Sequence, residues 1–146
     1  MSRVFLDANV FLYAIGSAEV ERDVCRRVLA MAVDGRLEGE TSVEVLQEVA
    51  HVRARRLGLA DAVARCRQAM ALGLPVHAVE PRDLERALDL LERVSGGHVR
   101  DALHVATALN REIPSIVSAD RGLDVFPGPR RVDPMDGAAV EALARA

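Results

Sequence analysis

Apolar residues along this chain follow two periods. Arg3-Val-Phe-Leu is a short apolar run that stops at Asp7, the pattern of a parallel strand buried on both faces. From Asp7-Ala-Asn to about Ile15 the spacing becomes helical. Helical spacing returns over Val20–Val33, Thr41–Leu57 and Ala60–Leu72, closed by Gly35, Gly58 and Gly73. Pro75 introduces a brief strand at Val76–Val79. Pro81 suits the first turn of a helix to Val94, and Gly96-Gly97 separates it from another over His98–Arg111. Pro114 leads into a second core strand, Ser115–Ser118, while Arg131–Asp133 reads as an edge strand and Asp136 caps a last helix. Strands alternating with helices predict an α/β architecture with a mostly parallel sheet, in a single domain over residues 1–146. Function in such sheets gathers at the carboxyl ends of the strands. Both core strands end in acid there, Leu6 running into Asp7 and Ser118-Ala119 into Asp120.

Composition narrows the chemistry. With 146 residues, 50% of them hydrophobic and 28% charged, the chain can bury one core and stay soluble. No apolar run approaches the ~20 residues of a membrane span, and Asp7 and Asn9 interrupt the only stretch resembling a leader. Cys25 and Cys66 form no C-x-x-C pair, so the expectation is a reduced, cytoplasmic protein. All 19 basic residues are arginine. The missing lysine excludes a Walker A phosphate loop and Schiff-base chemistry. Aromatic residues make up only 3% of the chain, too few for a platform that stacks bases. The net charge of −3 also argues against a nucleic-acid partner, unless several carboxylates are concentrated in one cation site and leave the remaining surface basic.

Four acids fit that exception. Asp7 precedes a helix, where it would serve as an N-cap and also aim its oxygens into the strand-end crevice. Glu44 and Glu48 share a polar stripe with His51 and Arg55. Thr41-Ser-Val-Glu44 has the form of a capping box, which gives Glu44 a structural duty and leaves Glu48 as the candidate. Asp101 lies in the first turn of its helix, where the dipole favours a carboxylate, and Ala102, Ala106 and Ala108 let that helix pack closely. Asp120 follows Ser118 past a strand end, with an Asx-turn as its local alternative. Asp124, four residues on, is a weaker fifth candidate. Like charges about 5 Å apart cost roughly 3 kcal/mol per pair at an effective dielectric near 20, so such a cluster calls for a cation. Oxygen ligands select Mg²⁺ or Mn²⁺, ions suited to phosphoryl chemistry because they lower the pKa of water and offset charge on phosphate oxygens.

Arg3-Val-Phe-Leu-Asp-Ala-Asn-Val-Phe-Leu-Tyr, Val45-Leu-Gln-Glu-Val, Asp101-Ala-Leu-His-Val-Ala-Thr-Ala-Leu and Ile116-Val-Ser-Ala-Asp resemble the four acidic motifs of PIN-domain ribonucleases. More narrowly, the chain resembles the VapC toxins of bacterial toxin–antitoxin pairs, up to Val125-Phe-Pro-Gly-Pro-Arg-Arg-Val-Asp-Pro. The resemblance implies a three-layer α/β/α fold and Mg²⁺- or Mn²⁺-dependent cleavage of RNA. It also implies a homodimer and a cognate antitoxin that holds the enzyme inactive. Asp7, Glu48, Asp101 and Asp120 would then be the metal-binding, catalytic acids, with Asn9 and Ser118 shaping the site and Asp124 supporting it. Ser118 stands where the family often has threonine, and the hydroxyl is kept.

Arginine is the expected RNA-holding residue: Arg100 and Arg121 adjoin proposed ligands, and Arg53, Arg55 and Arg56 end the Glu48 helix, where they would also complement the dipole. His98 and His104 diverge by about 240° around their helix, so they cannot share one ion, and His104 reads as a buried polar group. Haloacid-dehalogenase-type phosphatases and phosphate receivers also use acidic strand ends, but both need a lysine that is missing here. The remaining alternative is a catalytically silent PIN-like module that only binds RNA or protein.

Overall fold

The computed structural model describes residues 1–146. Its strands are β1 (Arg3–Leu6), β2 (Glu38–Ser42), β3 (Val76–His77), β4 (Ser115–Val117) and β5 (Arg130–Val132). They form one sheet in the order β3-β2-β1-β4-β5, with every neighbouring pair parallel. The helices are α1 (Ala8–Ala14), α2 (Glu19–Val33), α3 (Val43–Leu57), α4 (Leu59–Met70), α5 (Pro81–Arg93), α6 (Val99–Asn110) and α7 (Gly137–Arg145), and a 3₁₀ turn spans Arg121–Val125. No helix is long and apolar enough to cross a membrane.

The central strand explains the layering. Val4, Phe5 and Leu6 are fully buried, as an unbroken apolar run requires when both faces of a strand are covered. Successive side chains point to opposite faces. Phe5 turns its ring toward His104 of α6, with centroids 6.3 Å apart. Leu6 faces the other way, toward α2: a Cβ placed on Gly39 would lie 2.8 Å from the Ala32 Cβ and 3.2 Å from Leu6 Cδ1. Helices α6 and α2 therefore cover opposite faces, and the sheet is the middle of three layers. Gly39 is needed for that approach, since any larger residue would push α2 off the sheet. Gly58, at φ +91°, makes the tight turn by which α4 folds back on α3.

β2 departs from the sequence expectation. Glu38-Gly-Glu-Thr-Ser has no apolar side chain, so periodicity places no strand there and extends the following helix back to Thr41. In the fold each buried polar group of β2 has a partner. Glu40 accepts from Arg3 at 2.6 and 2.9 Å and contacts His77 at 2.7 Å, while the Thr41 hydroxyl donates to the Leu6 carbonyl at 3.0 Å. Hydrogen-bonded polar groups can be buried where unpaired ones cannot. Ser42, not Thr41, caps α3, accepting from Val45 N at 3.2 Å. The predicted capping box of Thr41 with Glu44 is therefore absent, and Glu44 has no capping duty.

Candidate metal centre

Two strand ends and two helices meet at the carboxyl edge of the sheet. Asp7 leaves β1 and caps α1, its Oδ1 accepting from Ala8 N at 2.8 Å. Its Oδ2 accepts from the Ser118 hydroxyl at 2.7 Å and from Asn9 Nδ2 at 3.2 Å. Ser118 follows β4, and its Oγ also accepts from Asn9 Nδ2 at 2.9 Å and from Asp120 N at 3.0 Å. Asn9 Oδ1 closes the network by accepting from Ala119 N at 3.0 Å. Asn9 and Ser118 thus tie the loop after β1 to the loop after β4. Asp120 is held by one further bond, from Gly122 N to its Oδ1 at 2.8 Å.

The other two acids come from helices. Glu48 reaches in from α3 and Asp101 from the first turn of α6. One ligand atom each from Asp7, Glu48 and His104 lie within 4.8 Å of one another. Asp101 and Asp120 flank Gly122, where an added Cβ would lie 3.0 Å from Asp120 Oδ1 and 3.7 Å from Asp101 Oδ2. Beside this cluster opens a cleft of about 640 Å³ lined by Glu44, Glu48, His98, Arg100, Asp101 and Leu103.

Electrostatics follow from crowding. Burial pushes the Asp7 carboxyl above its ordinary range, aided by the charge of Glu48 and opposed by His104, Ser118 and the Ala8 amide. Asp101 is pushed up to about 6, first by burial and then by Asp120, Asp7 and Glu48. His104 is only 1% exposed. Burial alone would lower its pKa, but its bond to Glu48 and the charges of Asp7, Glu48 and Asp101 raise it instead. The nearest arginine contact is Arg100 Nε to Glu48 Oε1 at 3.5 Å, on a side chain 48% exposed. The four carboxylates outnumber the positive groups that touch them, His104 and Arg100, and such a gathering of oxygens suits a hard divalent ion.

Other candidates lie outside the cluster. Asp124 pairs with Arg131 at 2.8 and 3.2 Å, which lowers its pKa, and Arg131 also donates to the Ser118 carbonyl at 3.0 Å. Asp124 therefore buttresses the loop that carries Ser118. Arg121 is exposed at the rim and forms no ion pair. Arg53 is buried and forms a two-bond pair with Asp61 of α4 at 2.7 and 2.9 Å, so it clamps α3 to α4 and is not free for RNA. Two neighbours of the cluster were not marked by sequence. Glu44 lines the cleft, hidden by the capping assignment. His104 stands three residues after Asp101, a spacing that places both on adjoining faces of one helix.

The PIN domain model matches residues 4–129. The chain belongs to the PIN domain family. Ribonuclease VapC13 of Mycobacterium tuberculosis is 32% identical over 131 residues, 88% of this chain and 98% of that protein. Ribonuclease VapC7 of the same organism is 36% identical over 119 residues, 80% of this chain and 81% of that one. Among solved structures, M. tuberculosis VapC20, described as a Sarcin-Ricin loop cleaving toxin, superposes with a TM-score of 0.69 at 20% identity, covering 84% of this chain and 95% of that one. DNA-bound VapBC from Salmonella typhimurium gives 0.69 at 16% identity, covering 92% of this chain and 99% of that one. These likenesses at low identity agree with the PIN fold described above.

Proposed function

We propose that this PIN protein is a divalent-cation-dependent ribonuclease, the toxin of a VapBC-type pair, acting as one unit over residues 1–146. The observation that carries this reading is the gathering of Asp7 and Glu48 around His104, with Asp101 and Asp120 close enough for their charges to act on one another, and with a half-exposed Arg100 as the only arginine in contact. Asp7, Glu48, Asp101 and Asp120 hold Mg²⁺ or Mn²⁺. Bound there, the cation supplies a lowered pKa for water and offsets charge on the scissile phosphate. Ser118 and Asn9 fix the carboxylate of Asp7, and Ser118 also anchors the Asp120 backbone. Without a cation Asp101 retains a proton on its carboxyl up to about pH 6, which relieves the repulsion from its neighbours. Arg100 and Arg121, both exposed near the acids, take RNA phosphates.

RNA as the substrate is supported by relatives named as VapC ribonucleases, and an antitoxin partner by neighbours solved as toxin–antitoxin complexes. The antitoxin chemistry that fits is an amphipathic helix. Helices α1, α2 and α4 border an apolar groove with Phe11, Ile15, Leu29, Ala69 and Leu72 in its walls. We assign the protein to the cytoplasm and expect a homodimer.

The test is cleavage of a structured RNA by purified protein. Cleavage is expected with Mg²⁺ or Mn²⁺ and is abolished by EDTA. Asp7→Asn should lower the rate on the order of a thousandfold while leaving the circular dichroism spectrum unchanged. Cleavage that persists in EDTA, or in Asp7→Asn, overturns the reading. RNA binding without cleavage by the wild type under any divalent ion establishes the silent-module alternative.

A further inference from the structure

Glu48 is the one glutamate among the four acids and comes to the site on the longest side chain. Asp7 is fixed by three donors and Asp120 by the Gly122 amide, both from loops next to the acid in the chain or at the neighbouring strand end. Glu48 instead reaches from α3 on a long side chain with several rotatable bonds. Only two groups contact its carboxylate. Arg100 is about half exposed, its Nε 3.5 Å away. His104 Nε2 is nearer, 3.2 Å from Oε1, and its ring is almost wholly buried.

The surroundings of His104 are those of a fixed support. The ring lies in the core against Phe5 of β1, tilted by 38°. Its Nε2 points to Glu48 at 3.2 Å and to Asp7 Oδ1 at 4.0 Å. Nδ1, on the other side, is buried without any hydrogen-bond partner. A leucine could fill most of this space without leaving a polar atom unpaired, so core packing does not explain a histidine here. A carboxylate can only accept, so Nε2 must donate to it.

The geometry points to His104 as a positioning residue: its Nε2–H holds Glu48 Oε1 toward Asp7, so that carboxylates from α3 and from the end of β1 face one cation. Asp101 lies one turn earlier on the same helix, so α6 sets both an acid and the support of a second acid. This inference rests on the divalent-cation reading of the site. Groups that orient a ligand typically change metal affinity by ten- to a hundredfold when removed.

Mn²⁺ binding to RNA-free protein, measured by calorimetry, tests it. His104→Leu should weaken binding by roughly tenfold or more, lowering kcat for RNA cleavage at subsaturating Mn²⁺ while the KM for RNA holds. His104→Gln, whose amide reaches the Nε2 position, should recover most of the affinity; His104→Asn, one methylene shorter, should not. In a Glu48→Ala background the His104 substitutions should add no further loss. A purely structural histidine would lower the melting temperature in every variant without distinguishing Gln from Asn or depending on Glu48. Wild-type affinity in His104→Leu overturns the inference, as does equal affinity in Gln and Asn, or an undiminished loss in the Glu48→Ala background. Should His104→Leu fail to fold, the Gln and Asn pair decides. A wild type that binds no Mn²⁺ removes the cation reading and this inference with it, whereas binding that ignores position 104 removes this inference alone.

Discussion

The two ends of α6 treat nearby carboxylates in opposite ways. At its carboxyl end, Arg111 gives two guanidinium nitrogens to fully buried Asp83, at 2.9 and 3.0 Å, and Asn110 adds a donor at 2.8 Å. Burial pushes the Asp83 carboxyl up, but the bonds from Arg111, Glu80 N and Asn110 outweigh it and leave the pKa lowered. At its amino end, Asp101 accepts no hydrogen bond from the protein, faces three other acids and is pushed up to about 6. Two carboxylates on or against the same helix thus differ by the presence of a tight arginine. One is balanced within the fold and belongs to stability. The other is left unbalanced, and an external cation would have to complete it.

Removing the internal balance should produce the largest change in stability. Asp83→Ala leaves the Arg111 guanidinium, which is only 10% exposed, without its carboxylate. Unfolding free energy should fall by about 3–5 kcal/mol, read from the urea midpoint. The protein that remains folded should still bind Mn²⁺, because the damage is at the other end of α6. If Asp83→Ala abolished Mn²⁺ binding in folded protein, the two ends would not be separable.

Supplying the external balance comes next. Mn²⁺ at a hundred times its dissociation constant should stabilise the wild type by about 2.7 kcal/mol by mass action, visible as a raised melting temperature. Asp101→Asn should lose most of that gain, while Asp83→Ala should keep it. An equal response in wild type and Asp101→Asn would mean that the acids do not share an ion.

The smallest effect sharpens the contrast through pH. In the ion-free protein the folded-state pKa of Asp101, about 6, lies above its ordinary value of 3.8. The folded state therefore binds the extra proton, so this group's contribution to stability falls as pH rises from about 4 to 6 and stays low above that. Asp83 has the opposite sign, because its lowered pKa contributes stability at neutral pH that is lost as pH falls below the ordinary carboxylate range. The melting-temperature gain of Asp101→Asn over wild type should grow between pH 4 and 6 and then level off. A gain independent of pH would show that Asp101 is not perturbed.

Most of the architecture was legible in the residues. The apolar run before Asp7, the glycine stops and Pro81 each act locally, and their elements stand within a few residues of expectation. β2 was not legible, because its burial depends on partners supplied by Arg3, His77 and the Leu6 carbonyl, none of them within reach of a local window. The same error hid Glu44: reading Thr41 as a cap assigned it a duty that Ser42 leaves vacant. Arg53 was legible as a basic residue near a helix end but not as a buried clamp, since Asp61 belongs to the next helix.

By itself the chain determined the order of the helices and of every strand but β2, the absence of lysine chemistry and a set of candidate acids at two strand ends and on two helices. These follow from side-chain periodicity and from composition, which need no knowledge of distant neighbours. Only the tertiary structure decided that Asp7, Glu48, Asp101 and Asp120 crowd one edge of the sheet, that Asp124 is taken by Arg131, and that His104 reaches between two acids. Those outcomes depend on the register of parallel strands and on helices crossing opposite faces, which bring together residues far apart along the backbone.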